Sequence, residues 1–496
     1  MKKIDVLRST SFGKSIAEDE QNDLGSYFVK TEYWRKIYTG DVDIVYGQKG
    51  SGKSAIYFAL MNSIKDFEKE NIILIPAEKP KGAPVFRKLA ESPLASEEQF
   101  QFLWKLYFLS LIGNEIKERN LVTTKSKKLI TFLEDEKLLE RSHDLKSLLK
   151  DVYIYTISFF KKRVQGVEGG VNLSETTGGI TGFTGKIIFE EPTQEEFREG
   201  NLSIDNLLEQ ANEVLSELDY KFWILLDRLD VAFLNPTEEK NAIRALFRVY
   251  IDFLGFNNVK IKIFIRPDIW KDITEDGFRE ASHITKFVSI QWDDSNLFNL
   301  IIRRALNNSS ICTHYGINPE EIIKDNTKQS QVFYNMFPEK VESNVLNTYR
   351  WILSRTRDGN GYNAPRDIIQ LLNETKDCQI KEMELGTKEP DGNVIFSRSA
   401  LRNAVKQVSN IKLFKTIYAE YPDLKDYIEK LRKQKATQKI TTLMKIWNLN
   451  EIDAQKLVDR LCSVGVFEAI GDIENKQYRV PFLYREELGL IQGSAE

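Results

Sequence analysis

The sequence predicts an α/β fold: a parallel sheet carrying a phosphate-binding loop, with helical and β insertions, followed by a helical lid and a C-terminal winged helix. Three observations carry that expectation. The first is Gly47-Gln48-Lys49-Gly50-Ser51-Gly52-Lys53-Ser54, set between an apolar run at 42–46 and the helix-like Ala55-Ile56-Tyr57-Phe58-Ala59-Leu60. The second is a series of short continuous apolar runs, as expected of parallel strands buried on both faces. The third is that two of these runs end in a charge, Phe222-Trp223-Ile224-Leu225-Leu226 in Asp227 and Lys260-Ile261-Lys262-Ile263-Phe264-Ile265 in Arg266.

The loop reads as a P-loop, and each residue type has a chemical reason to be there. Gly47, Gly50 and Gly52 let the backbone curl, so that the N–H groups of Gln48, Lys49, Ser51 and Ala55 can face an anion at a helix start. The Lys53 ammonium reaches the outer phosphates, and the Ser54 hydroxyl ligates magnesium. The pattern defines a P-loop NTPase, with ATP and Mg2+ as the expected ligands.

At 496 residues the chain exceeds what one hydrophobic core serves, and 42% hydrophobic with 29% charged residues is the balance of a water-soluble globular protein. The densest apolar stretch, 100–116, is interrupted by Lys105 and Glu115 and spaced as a buried helix, so no membrane span is expected. Met1-Lys2-Lys3 is followed by Asp5 and Arg8 rather than an apolar run, which makes the cytoplasm the expected location. Cys312, Cys378 and Cys462 stand far apart and make no metal-ligand spacing with His143, His283 and His314; they read as reduced thiols. A net charge of −3 confines any nucleic-acid contact to a local patch.

In chain order, residues 1–26 form a polar N-terminal segment with an acidic patch at Glu18-Asp19-Glu20, expected to pack loosely. Residues 27–292 form the ATPase core. Tyr33 and Trp34, ahead of the first strand, either touch a nucleotide base or cap the sheet edge. Ile72-Ile73-Leu74-Ile75-Pro76 is a buried strand ended by Pro76. A helical insertion occupies about 95–165, and a Gly-rich β insertion about 166–192, with six glycines from Gly166 to Gly182. Within it, Asn172-Leu173-Ser174-Glu175-Thr176-Thr177-Gly178-Gly179 lacks the order of a transporter-type signature loop. Ser203 caps an amphipathic helix whose apolar face is Ile204, Leu207, Leu208, Ala211, Leu215 and Leu218.

Asp227 ends the next strand, the position from which a carboxylate holds magnesium beside a P-loop. Position 228 is Arg, so Asp230 is the nearest further acid for orienting water. Arg266, on the strand beside Asp227, is placed for the γ-phosphate. The run at 287–290 closes the sheet, and Arg303 or Arg304 either reaches a nucleotide in a neighbouring subunit or lies on an exposed helix.

A helical lid spans 293–376, with its clearest helix at 345–357. Gly359-Asn360-Gly361-Tyr362-Asn363-Ala364-Pro365-Arg366-Asp367 then opens another helix, and Arg366 either leans over phosphates or faces solvent. Residues 377–496 begin as a basic helical region, with twelve Lys and Arg against four acids over 398–445. Helices at 437–447 and 453–464 and strands at 466–470 and 477–483 follow in winged-helix order. Lys456 and Arg460 share the second helix with Asp453 and Asp459, which leaves DNA and protein partners both open.

Taken together, these motifs resemble bacterial P-loop ATPases of the AAA+/STAND superfamily, with a core like that of KAP, NACHT and Orc/Cdc6-like ATPases. The residues that carry the resemblance are the loop at 47–55, Asp227-Arg228-Leu229-Asp230, Arg266-Pro267-Asp268 and Pro365-Arg366-Asp367. The resemblance implies that Asp230 orients water, that Arg266 is a sensor of the γ-phosphate and Arg366 a lid sensor, and that hydrolysis is slow and switch-like. It also implies a homo-oligomer and a place in antiviral defence, acting with a separate effector protein, since no nuclease, TIR or protease motif is found here. The competing expectation is an Orc-like protein in which ATP regulates DNA binding through the winged helix.

Overall fold

Apolar runs that are continuous rather than alternating must be covered on both faces, and the core sheet meets that demand with parallel strands joined through helices. The computed structural model describes residues 2–20, 23–78, 96–139, 145–165, 187–194, 201–229, 236–275, 277–342, 346–386, 389–472 and 475–495. Asp230 and most of the Gly-rich insertion, 166–186, lie outside the described residues. The chain divides into two units. One, the core unit, comprises Glu32–Gln48 and Lys53–Ile290; the second comprises Met1–Thr31, Lys49–Gly52 and Gln291–Glu496.

In the core unit, β1 (Ile44–Tyr46), β2 (Ile72–Pro76), β5 (Lys221–Leu226), β6 (Val259–Ile265) and β7 (Phe287–Ser289) form one sheet. A short separate ladder pairs β3 (Ile187–Ile188) with β4 (Leu202–Ser203). The main order is β2-β5-β6-β1-β7, with every neighbouring pair parallel. All three residues of β1 are buried, as are all of β5 except Lys221.

The inserted helix Glu97–Glu118 explains its own charged residue. It starts in a capping box of Ser96 and Gln99, and its Trp104 indole donates to Ala242 O at 2.9 Å. Buried Lys105 reaches Asp205 at 2.6 Å and Asp252 at 2.9 Å, so its charge is paired inside the apolar packing. The helix Ile204–Glu217 begins as expected, Ser203 Oγ accepting from the Asn206 amide at 3.2 Å.

A buried ion pair lies within the sheet, where β1 begins beside the middle of β6. Lys262 lies in β6 opposite Asp43, which precedes β1, and donates to Asp43 Oδ1 at 2.8 Å and Val42 O at 2.5 Å. Its ammonium is 4.4 Å from the Trp223 ring centroid. The Tyr250 hydroxyl donates to Asp43 Oδ2 at 3.3 Å. Burial pushes the Lys262 ammonium down to about 8, against the pull of Asp43.

The second unit overturns the expectation of a loosely packed N-terminus. Val6, Leu7 and Phe12 are fully buried with Ile301, Ala305, Phe396 and other apolar residues of that unit. Glu20 of the acidic patch is 4% exposed and takes a two-pronged ion pair from Arg304, at 2.8 and 2.9 Å. Arg304 also donates to Phe12 O at 2.6 Å and lies 4.4 Å from the Tyr27 ring centroid. Gly13, at φ +80, passes so close that a Cβ there would stand 2.1 Å from Arg304 Nη1.

Further on, helices Thr348–Thr356, Pro365–Glu384 and Arg398–Lys412 lead to β8 (Lys435–Gln438). Helices Ile440–Trp447 and Glu451–Ser463 follow, then the antiparallel pair β9 (Glu468–Ile470) and β10 (Gln477–Arg479), and finally β11 (Ile491–Ser494), with the sheet in the order β11-β8-β10-β9. Two sequence boundaries are corrected. Thr437 and Gln438 belong to a strand, because β8 pairs with both β10 and β11. Phe482 and Leu483 open a helix, Phe482–Leu488, with Pro481 as its N-cap.

Asp43→Ala strands a buried ammonium and should cost about 3–5 kcal/mol by urea unfolding; adding Lys262→Met should restore most of it. Gly13→Ala should lower the unfolding midpoint measurably, whereas Gly25→Ala, with nothing within 4 Å of its added Cβ, should leave it near wild type.

Candidate functional site

β1 delivers the loop to the carboxyl edge of the sheet. The Gly47 amide donates to Ile265 O at 3.1 Å, one step beyond the Tyr46–Ile265 register, so the loop begins where β6 ends. The helix Lys53–Asn62 starts at once after it. Lys53 Nζ donates to Gly47 O at 2.6 Å and is 3.4 Å from Gln48 O, which folds the ammonium back over the loop's own carbonyls. Ser54 Oγ donates to Asp227 Oδ2 at 2.8 Å. Asp227 is 5% exposed and follows β5, so the ladder brings together a hydroxyl and a carboxylate 173 residues apart. Ala55 continues the helix, half-buried.

Arg266 follows β6 at the same edge, and its fork engages Asp268, Nε to Oδ1 at 3.0 Å and Nη2 to Oδ2 at 2.5 Å. An incoming phosphate would compete with that exposed carboxylate for the guanidinium. Arg228, next to Asp227, adopts the left-handed region at φ +61, which few non-glycine residues do.

The loop's tip, Lys49–Gly52, groups with the second unit. There Gly50 and Gly52 take φ +81 and +101, values that favour glycine. Ser51 O accepts from the Trp292 indole at 2.8 Å, and Lys49 pairs with Glu420. A Cβ on Gly50 would meet Arg366 Cβ at 3.0 Å, so Arg366 is brought beside the tip. Arg366 is half-buried at the start of Pro365–Glu384, with Pro365 at the first turn, and its Nε donates to Ser15 O at 3.1 Å. The next residue, buried Asp367, is paired with Lys412 at 2.7 Å.

Other expectations are corrected. Arg304 is held inside the second unit by Glu20 and is not available to a neighbouring subunit; Arg303 Nε donates to Asn299 at 2.6 Å. Trp34, 7% exposed in the helix Glu32–Tyr38, packs on Tyr38, which packs on Phe67 and through it on Trp223 of the sheet, in keeping with the sheet-capping alternative.

Sequence reasoning missed Glu78 and Tyr57. Glu78 lies two residues beyond β2 and is 2% exposed. Tyr57 is three residues after Ser54, on the same face of its helix, and 3% exposed. The signal for Glu78 was a carboxylate just past a buried parallel strand, the same signal that singled out Asp227.

Fold and site together define a P-loop NTPase architecture. No family model matches the chain. A search of curated proteins finds the putative transposon gamma-delta 80.3 kDa protein of Escherichia coli, 22% identical over 382 residues, 74% of this chain. The match spans 47% of that relative, so this chain corresponds to about half of its length. Among solved structures, the Aeropyrum pernix ORC2 protein in its ADPNP-ADP complexes aligns over 92% of both chains at 13% identity, with a TM-score of 0.32. Among the described residues, no helix is long and apolar enough to cross a membrane.

Ser54→Ala removes a hydrogen bond from buried Asp227 and should destabilise the nucleotide-free protein by about 1–3 kcal/mol in urea unfolding. Asp227→Asn keeps an acceptor for Ser54 and should cost less.

Proposed function

We propose that the chain binds ATP with magnesium and hydrolyses it slowly, as a switch. The observation that carries this reading is the Ser54–Asp227 hydrogen bond at the sheet's carboxyl edge, one residue from Lys53. The donor set fits a small hard cation: a hydroxyl and a carboxylate oxygen 2.8 Å apart, one from the first turn of a helix and one from the residue that follows β5. Ser54 and Asp227 would hold Mg2+, which when bound neutralises phosphate charge. Lys53 would exchange the Gly47 carbonyl for β- and γ-phosphate oxygens, and the amides of 48–55 would face the phosphates. Arg266 would leave Asp268 for the γ-phosphate, and Arg366 would serve as the lid sensor.

The AAA+/STAND resemblance supports reading the nucleotide as a control on homo-oligomerisation and on engagement of a separate effector, in antiviral defence. We read residues 435–494 as a winged helix with a protein partner. Its second helix exposes Glu451, Asp453 and Asp459 against Lys456 and Arg460, and Arg460 is already paired with Asp423 at 2.9 Å. That surface repels a phosphate backbone more than it attracts one.

Binding of a fluorescent ATP analogue with magnesium should be lost in Lys53→Ala; unchanged affinity in that variant would refute the P-loop assignment. Asp227→Asn should keep nucleotide affinity but lose most of its dependence on magnesium. Light scattering should show a larger mass with magnesium and a non-hydrolysable analogue in wild type, and none of that increase in Lys53→Ala.

A further inference from the structure

We propose that Glu78, from the edge strand of the sheet, is the general base for hydrolysis, the role that position 228 does not supply. This deepens the ATPase reading above and rests on it.

The β2–β5 ladder makes the placement. Pro76 pairs with Leu225, and the Ala77 amide donates to Leu225 O at 3.0 Å, which carries the parallel register past the end of β2. One further step sets Glu78 level with Asp227 on the adjacent strand. Ala77 is held from its other side, its carbonyl accepting from the buried Tyr107 hydroxyl at 2.8 Å. Two carboxylates, 2% and 5% exposed, therefore flank each other at the edge that also carries Ser54.

A second observation points to the same place. The Tyr57 hydroxyl is buried without a hydrogen-bond partner among the described residues. It lies on the Ser54 face of the helix, with its ring edge-on to Phe264 of β6 at 6.1 Å. Its proton is held well above the ordinary phenol range, first by burial and then by the charges of Asp227 and Glu78. A buried hydroxyl left unsatisfied beside both carboxylates is a group that a further oxygen ligand, water or phosphate, would satisfy.

The two acids then divide the work. Asp227 is committed to Ser54 and the metal. Arg228 offers no carboxylate. Glu78 takes a proton from the attacking water as its oxygen bonds to the γ-phosphorus. The bond from the γ-phosphorus to the β–γ bridging oxygen breaks, its electron pair leaves with ADP, and the proton passes from Glu78 to the released phosphate.

The test compares full-length wild type, Glu78→Gln and Glu78→Asp in single-turnover hydrolysis of γ-labelled ATP and in equilibrium binding of a fluorescent ATP analogue, with thermal unfolding as the folding control. Glu78→Gln should lower turnover by about 10²–10⁴-fold while affinity stays near wild type, and Glu78→Asp should recover part of the rate. Wild-type turnover in Glu78→Gln overturns the proposal. So does loss of binding together with turnover in both variants, which would make Glu78 a holding group rather than a base. A wild type that binds ATP in a Lys53-dependent way but never cleaves it sinks the base and leaves the binding site standing. A wild type with no affinity sinks both.

Discussion

The register of the parallel ladder is the constraint on which the candidate site depends. β1, β5 and β6 come from distant parts of the chain, yet Tyr46 pairs with Ile265, so β1 and β6 finish level, and Leu226 pairs with Ile263, so β5 ends two residues earlier and Asp227 follows it toward the same edge. A parallel strand can change register only by carrying its whole buried set with it. The Asp43–Lys262 pair, just before β1, opposes such a slip, since moving β1 by one residue would set each charge against an apolar neighbour. Its net contribution to stability is small, because both groups lose their water; its contribution to uniqueness is that every other register leaves a buried charge unpaired.

The second unit uses the same device for a different end. Glu20 and Arg304 are 284 residues apart and together bind the first segment of the chain to the helix Asp294–Leu306. The pair is satisfied at both prongs and backed by Phe12 O and the Tyr27 ring, so the charges are compensated rather than merely buried. This makes the N-terminal residues part of that unit's core.

Legibility followed from how local each determinant is. The five core strands were readable because a run such as Phe222-Trp223-Ile224-Leu225-Leu226, buried on both faces, leaves its mark in consecutive residues. Ser54 and Asp227 were readable because the chemistry of a P-loop demands a partner at a strand end. Glu20, by contrast, looks like any surface acid until Arg304 is placed beside it. Thr437 and Gln438 were drawn into a helix because the sequence does not reveal that strands beyond residue 476 will pair with them. Arg266 was placed at the correct edge, but its engagement by Asp268 is a contact between neighbours that no strand pattern encodes. Glu78 was passed over because Pro76 was taken as the end of the element, whereas the ladder continues through the Ala77 amide.

That continuation gives the inserted helices a role in the core. Tyr107 belongs to the helix Glu97–Glu118, and its hydroxyl is fixed on Ala77 O, one residue before Glu78. Trp104 of the same helix is fixed on Ala242 O in the helix Pro236–Phe253, which joins β5 to β6. Lys105 bonds to Asp252 on that same helix and to Asp205 on the helix Ile204–Glu217. Three residues within four positions, Trp104, Lys105 and Tyr107, thus tie the insertion to the strand end that presents the proposed base and to the helices that buttress its neighbours. A close-packed interior transmits displacement rather than absorbing it. A partner that shifts the insertion would therefore act on the position of Glu78 before it acted on Lys53 or Ser54. Nucleotide binding and nucleotide turnover would then answer to different parts of the same unit, which is the separation a switch requires.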